Sequence, residues 1–105
     1  IKGYNKVMFN GITTIVLSDI IYLIIKKHKD LNGIFHLGSS KNISKYSLLK
    51  IIKKNIKNNN TVIHRDNTII SNKTLNSHKI NQIIKYKIPS YNKMIFDLCN
   101  AFYKF

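Results

Sequence analysis

Two Tyr-x-x-x-Lys spacings, Tyr22 to Lys26 and Tyr46 to Lys50, are the most suggestive chemistry in the chain. On a helix, residues four apart share a face, so each spacing sets a phenol beside an ammonium. A neighbouring cation favours the phenolate and lowers a tyrosine pKa from about 10, which lets such a pair transfer a proton in reductases. Six tyrosines and 17 lysines in 105 residues nevertheless produce about one such spacing by chance. The pair also needs a nicotinamide to work beside. Gly3, Gly11, Gly33 and Gly38 never approach the spacing of a phosphate-binding turn between a strand and a helix. No residue of the chain is therefore assigned a catalytic role, and no cofactor loop is expected in it.

The remaining reactive side chains are dispersed. His28, His36, His64 and His78 are too far apart for a metal signature, and the single Cys99 offers no thiolate cluster, so no metal site is expected. Asp19 reads as a helix cap and Asp30 as a turn residue, with Asp66 and Asp97 unrelated to either. Cys99 reads as a small buried side chain on the last helix.

The elements that would carry these residues alternate in type. Ile15-Val16-Leu17 reads as a short extended piece leading to a cap at Ser18 or Asp19. A helix with Ile20, Ile21, Leu23, Ile24 and Ile25 on its apolar face follows and ends near Lys29. Gly33 to Gly38 has the length and composition of a buried strand. Ser44 caps a second helix whose stripe runs through Tyr46, Leu48, Leu49, Ile51, Ile52 and Ile56 to about Lys57, with Asn58-Asn59-Asn60 breaking it. Thr61 to His64 is a second strand, and Arg65 to Thr74 a surface loop. Asn76 or Ser77 caps a short helix with Ile80, Ile83 and Ile84. Ser90, after Pro89, caps a last one with Met94, Ile95, Leu98 and Phe102. The expectation is a single partial α/β domain over residues 1–105, with short strands, about four helices and too few strands for a sheet of its own.

The formal charge is +14, from 18 Lys and Arg against four Asp and no Glu. Such a balance attracts polyanions through counterion release. Isoleucine, lysine and asparagine, however, make up 51 of 105 residues, and all three belong to adenine- and thymine-rich codons. Arginine, the preferred bidentate reader of phosphate and guanine, occurs once, at Arg65. A small basic module binding nucleic acid or another polyanion is thus the alternative, and nucleic acid the less favoured partner. A lone cysteine excludes an internal disulfide and points to a reducing compartment, the cytoplasm. The longest apolar stretch, Ile12 to Ile25, contains Ser18 and Asp19 and falls short of the roughly 20 residues of a membrane helix. The opening residues Ile1-Lys2-Gly3 carry neither an initiator Met nor a signal pattern, so a fragment is expected.

Five short segments form an ordered set: Phe9-Asn10-Gly11-Ile12-Thr13-Thr14, Gly33-Ile34-Phe35-His36-Leu37, Ile43-Ser44-Lys45-Tyr46, Lys73-Thr74-Leu75-Asn76-Ser77, and Pro89 before a helix. In order and spacing, nearly end to end, the chain resembles the carboxyl-terminal part of extended short-chain dehydrogenases/reductases acting on nucleotide sugars, in particular the dTDP-4-dehydrorhamnose reductases. The resemblance implies a substrate-side portion of a Rossmann-type enzyme that reduces a keto sugar nucleotide with NADP(H) or NAD(H). In that family the cofactor and the catalytic Tyr and Lys belong to an amino-terminal Rossmann domain. That domain is therefore an implied partner, together with the nucleotide-sugar substrate. The chain by itself would bind no cofactor and turn nothing over. The resemblance further implies that Asn10, Thr13 and Thr14 approach the substrate, and that Lys73 stands where relatives often carry Arg near the pyrophosphate. It implies too that Gly33 to Leu37 packs on the edge of the Rossmann sheet, and that Tyr46 lies away from the family's catalytic tyrosine.

Overall fold

In the computed structural model, residues 1–56 and 60–103 are described, the last two in backbone alone. The expected break at Asn58 and Asn59, the helix end at Lys57 and the packing of Phe102 lie outside the described residues. The chain is a small mixed α/β unit. In order it contains β1 (Lys2–Tyr4), β2 (Val7–Phe9), α1 (Thr14–Lys27), β3 (Ile43–Ser44), α2 (Lys45–Asn55), β4 (His64–Asp66), β5 (Ser71–Lys73), α3 (His78–Ile84) and α4 (Tyr91–Tyr103).

The strands form two small sheets. β1 pairs with β4 in parallel, Gly3 opposite Arg65. β2 lies between β3, antiparallel, and β5, parallel, with Met8 opposite both Ser44 and Asn72. The turn at Asn5-Lys6 bends residues 2–9 from one sheet into the other, and residues 64–73 bend alongside. Asn5 N–H donates to Asp66 O (3.0 Å) and Ser71 N–H to Lys6 O (3.2 Å) across the bend. At Gly3 a Cβ would stand 2.6 Å from Tyr46 Cδ1 and 2.9 Å from Ile63 Cγ2, so only glycine lets α2 lie this close to β1.

These strands correct the sequence reading in three places. Residues 1–9, which carry no strong alternation, hold two strands. The loop expected over Arg65 to Thr74 contains β5 and most of β4, while Thr61 to Ile63 is outside any strand. Strands of two or three residues are too short for periodicity to declare them; their partners, 34 to 64 residues away, select them.

The helices follow their caps. Thr13 Oγ1 accepts from Val16 N–H at 3.3 Å, so α1 starts at Thr14 and takes in Ile15 to Leu17, which are helical and not extended as expected. Ser18 and Asp19 thus sit inside the helix, where Ser18 Oγ donates to Ile15 O. The helix closes at Lys27 with His28 as C-cap, and Lys26 and Lys27 suit the negative end of its dipole. Replacing Thr13 by Ala should lower the unfolding free energy by about 1 kcal/mol in urea titrations, the usual worth of such a cap, whether or not a ligand is added. Ser44 caps α2, accepting from Ser47 N–H (3.1 Å), as its sequence position predicts. Ser77 occupies the N-cap of α3 but makes no capping bond; Asn76 Oδ1 accepts from His78 N–H instead. Ser90 Oγ accepts from Lys93 N–H at the start of α4.

The core joins α1, α3 and α4 through Val16, Ile20, Ile80, Ile84 and Met94. Ile95 and Cys99 are also buried, the latter as the sequence suggests. Two expectations about faces fail. Ile21 and Ile25 of α1 are exposed, and α2 has no fully buried residue, its stripe being half covered. The segment 34–38 belongs to no strand, and Ile34 is 85% exposed, so the buried strand expected there is absent. Its Phe35 and Leu37 alone reach the core. The molecule is flat, with principal extents of 47 × 37 × 16 Å and a radius of gyration of 15.7 Å. A compact domain of this length would have about 13 Å. No helix among the described residues is long and apolar enough to cross a membrane.

Candidate functional site

Asn10, immediately after β2, is the point at which three distant segments meet. Its Nδ2 donates to Ser39 O (2.9 Å) and to Leu75 O (2.6 Å), while its Oδ1 accepts from Leu75 N–H (2.7 Å). Its own carbonyl accepts from Ser39 N–H at 2.8 Å. The side chain is buried, and both donors and the acceptor are engaged. Gly38 packs against it so tightly that a Cβ there would lie 2.7 Å from Asn10 Nδ2.

Ser77 extends this node toward α3. Its hydroxyl donates to Gly38 O (2.9 Å), which uses its one proton, so it must accept from Asn81 Nδ2 at 3.1 Å. That assignment orients the Asn81 amide. Asn81 Oδ1 is left buried without a hydrogen-bond partner among the described residues, at a cost of about 1–3 kcal/mol.

Around this node lies a groove of two lobes. The first, of about 360 Å³, is lined by amide, hydroxyl and imidazole groups, among them Asn10, Ser39, Thr74, Asn76, Ser77 and His78. The second, of about 580 Å³, is lined by Ile43, Ile51, Tyr86, Ile88, Pro89 and Tyr91, with Lys41 and Lys87. Ser39, Ser40, Asn42 and Asn81 belong to both lobes, and no carboxylate lines either. Tyr91 OH donates to Gly11 O (2.8 Å) and ties the start of α4 to the turn after Asn10. Burial pushes the Tyr91 phenol above its ordinary pKa of 10. Burial, reinforced by Asp19, raises Tyr86 as well, and Tyr86 OH reaches Asp19 Oδ2 at 3.5 Å. Both phenols are therefore neutral donors at physiological pH, not proton-transfer groups.

The four residues singled out by the resemblance are spread unevenly. Asn10 lines the polar lobe, but its amide is committed to the main chain. Thr13 is occupied as the cap of α1, and Thr14 is the exposed first residue of that helix. Lys73 is exposed at the end of β5, in register with Phe9. Thr13, Thr14 and Lys73 do not line the groove. Lys41, Ser39, Asn81 and Lys87 do, and nothing in their local sequence marks them, because segments distant along the chain, at Asn10, Ser39–Ile43, Thr74–Asn81 and Tyr86–Asn92, build the groove.

The Tyr-Lys spacings take a geometry unlike a proton relay. Lys26 Nζ stands 5.6 Å from the Tyr22 ring centroid and Lys50 Nζ 5.3 Å from that of Tyr46, each over the ring. These are cation–π contacts. Among the described residues no group of three or more His, Cys, Asp or Glu could hold a metal ion. No protein-family model matches the sequence, and no curated protein is significantly similar to it.

Proposed function

We propose that the chain is the substrate-side portion of a nucleotide-sugar reductase of the extended short-chain dehydrogenase/reductase type, similar to the dTDP-4-dehydrorhamnose reductases. On this reading it contributes binding surface for a keto sugar nucleotide, while a Rossmann domain in another part of the protein supplies NADP(H) or NAD(H) and the catalytic Tyr and Lys. The observation that carries the reading is convergence: Asn10, Ile43, Leu75 to Ser77 and Pro89, from four of the five motif segments, all line the two-lobed groove. The fifth, Gly33 to Leu37, runs straight into the node through Gly38 and Ser39.

A second support is what remains uncovered. Ile21, Tyr22 and Ile25 form an exposed apolar stripe on α1, at positions i, i+1 and i+4, while Val16 and Ile20 bury the other side. A helix apolar on both sides belongs between two layers. The unpaired 34–38 segment lies next along the chain, where a strand adding to a sheet edge would leave α1 lying over that sheet. In this reading both surfaces meet the Rossmann domain.

The test is to express the coding segment together with the in-frame sequence preceding Ile1 and to assay NADPH oxidation with dTDP-4-dehydrorhamnose. Turnover by the extended protein and none by the 105-residue chain is the expected pair of results. Turnover by the 105-residue chain alone, or an upstream sequence without a Gly-rich strand-to-helix turn and a Tyr-x-x-x-Lys, would sink the reading.

A further inference from the structure

We infer that Asn32 is a site of spontaneous covalent modification, deamidation through a cyclic imide to aspartate and isoaspartate, while the fold protects Asn10, the other asparagine that precedes a glycine.

Among 14 asparagines, Asn10 and Asn32 alone are followed by glycine, at Gly11 and Gly33. In such a pair the glycine nitrogen can reach the asparagine Cγ, because no Cβ stands beside it. The reaction is intramolecular, so geometry governs its rate and water is the one co-reactant. The glycine N–H gives its proton to solvent and the nitrogen bonds to Cγ. The Cγ–Nδ2 bond then breaks, and the nitrogen leaves as ammonia after taking a proton from solvent. Water opens the imide at either of its carbonyls, leaving an aspartyl or an isoaspartyl residue. Asparagine and water thus become a carboxylic acid and ammonia, and nothing is oxidised or reduced.

The fold treats the two sites oppositely. Asn10 is buried, and its amide is fixed by three hydrogen bonds to Ser39 O, Leu75 O and Leu75 N–H. Gly38 packs directly on that amide, which leaves it no room to turn toward Gly11. Asn32 and Gly33 are both exposed, in the connection that follows α1. Among the described residues no hydrogen bond holds the Asn32 side chain or the Gly33 N–H. Gly33 has a φ of 102°, and nothing stands within 4 Å of the position its Cβ would take. The amide carbon and the attacking nitrogen are therefore free to meet at Asn32 and held apart at Asn10.

The product matters to the chain around it. A new carboxylate stands beside Asp30, and the isoaspartyl form adds one carbon to the main chain just before Phe35 and Leu37, which pack on the core.

Incubating the 105-residue chain in heavy-oxygen water at neutral pH, then digesting it with trypsin for mass spectrometry, tests the assignment. Peptides 7–26 and 30–41 report on the two sites separately. In guanidinium chloride both should take up solvent oxygen at comparable rates. In the native chain Asn32 should stay within about twofold of its unfolded rate, and Asn10 should slow about a hundredfold, since its three bonds must open together. An isoaspartyl methyltransferase should label peptide 30–41. Asn32→Gln, whose longer side chain closes the ring poorly, should remove both signals and leave the urea midpoint unchanged. Equal native rates at the two sites, a native Asn32 slowed as Asn10 is, or a modified peptide 30–41 without isoaspartate would each overturn the inference.

Discussion

Replacing Asn10 by Asp should destabilise the chain by about 4 kcal/mol, enough to leave much of it unfolded at room temperature if its stability is near the low end for small domains. The substitution is nearly isosteric, so the loss would come from hydrogen bonding and charge alone. Nδ2 of Asn10 is the donor to both Ser39 O and Leu75 O. A carboxylate has no proton to offer either carbonyl, and each of those buried or half-buried acceptors then costs about 1–3 kcal/mol. The acceptor role toward Leu75 N–H survives, but it would be filled by a buried charge facing two carbonyl dipoles. Because Asn10 joins residues 29 and 65 positions away, the loss should be cooperative. Urea titration followed by circular dichroism and by tyrosine fluorescence should give one coincident, shifted transition. A loss below about 1 kcal/mol would show the node to be solvated and peripheral.

Ile20→Ala should cost about 3–4 kcal/mol, and Ile25→Ala in the same helix less than about 0.5. Ile20 is 0% exposed and sits among Val16, Ile80, Ile84 and Met94, whereas Ile25 is 63% exposed. The core holding α1, α3 and α4 together is small, and two of these helices have little else to hold them. Truncation at Ile20 therefore removes a large share of the packing that joins these helices and opens a cavity among Val16, Ile80, Ile84 and Met94. The urea midpoint should fall with an unchanged slope for Ile20→Ala and stay in place for Ile25→Ala. The comparison also separates stability from assembly. If α1 packs on a second domain as proposed, Ile25→Ala should weaken that association in the extended protein while leaving the isolated chain as stable as before. Similar losses from both variants in the isolated chain would mean that the exposed stripe is part of the fold's own core.

Much of the helical architecture is legible in the residues themselves. Ser44 before a run of helix formers, Ser90 after Pro89, and the basic residues at the end of α1 state their roles by local chemistry, and the structure places caps and ends there. Buried Ile80, Ile84, Met94 and Ile95 follow from helical spacing, and buried Cys99 from its residue type. Local reading errs at Thr13, where an equally good cap lies five residues before Ser18. Which cap is used depends on whether Val16 and Ile20 can both face α3 and α4, a condition that local sequence does not express. For the same reason Ile21 and Ile25, chemically equivalent to Ile20, end on the opposite side of the helix.

Periodicity and capping by themselves determined the four helices, because those properties act over one or two turns of backbone, while the strands expected at Gly33 to Gly38 and Thr61 to Ile63 are not the ones that form. Only the tertiary structure decided that residues 2–4 and 7–9 are strands, that the Gly33 to Gly38 run pairs with nothing, and that Asn10 ties Ser39 to Leu75. Each of those outcomes depends on which partner, from 29 to 65 residues away, satisfies a backbone N–H or C=O, and hydrogen bonding between distant segments leaves no periodic mark on either one.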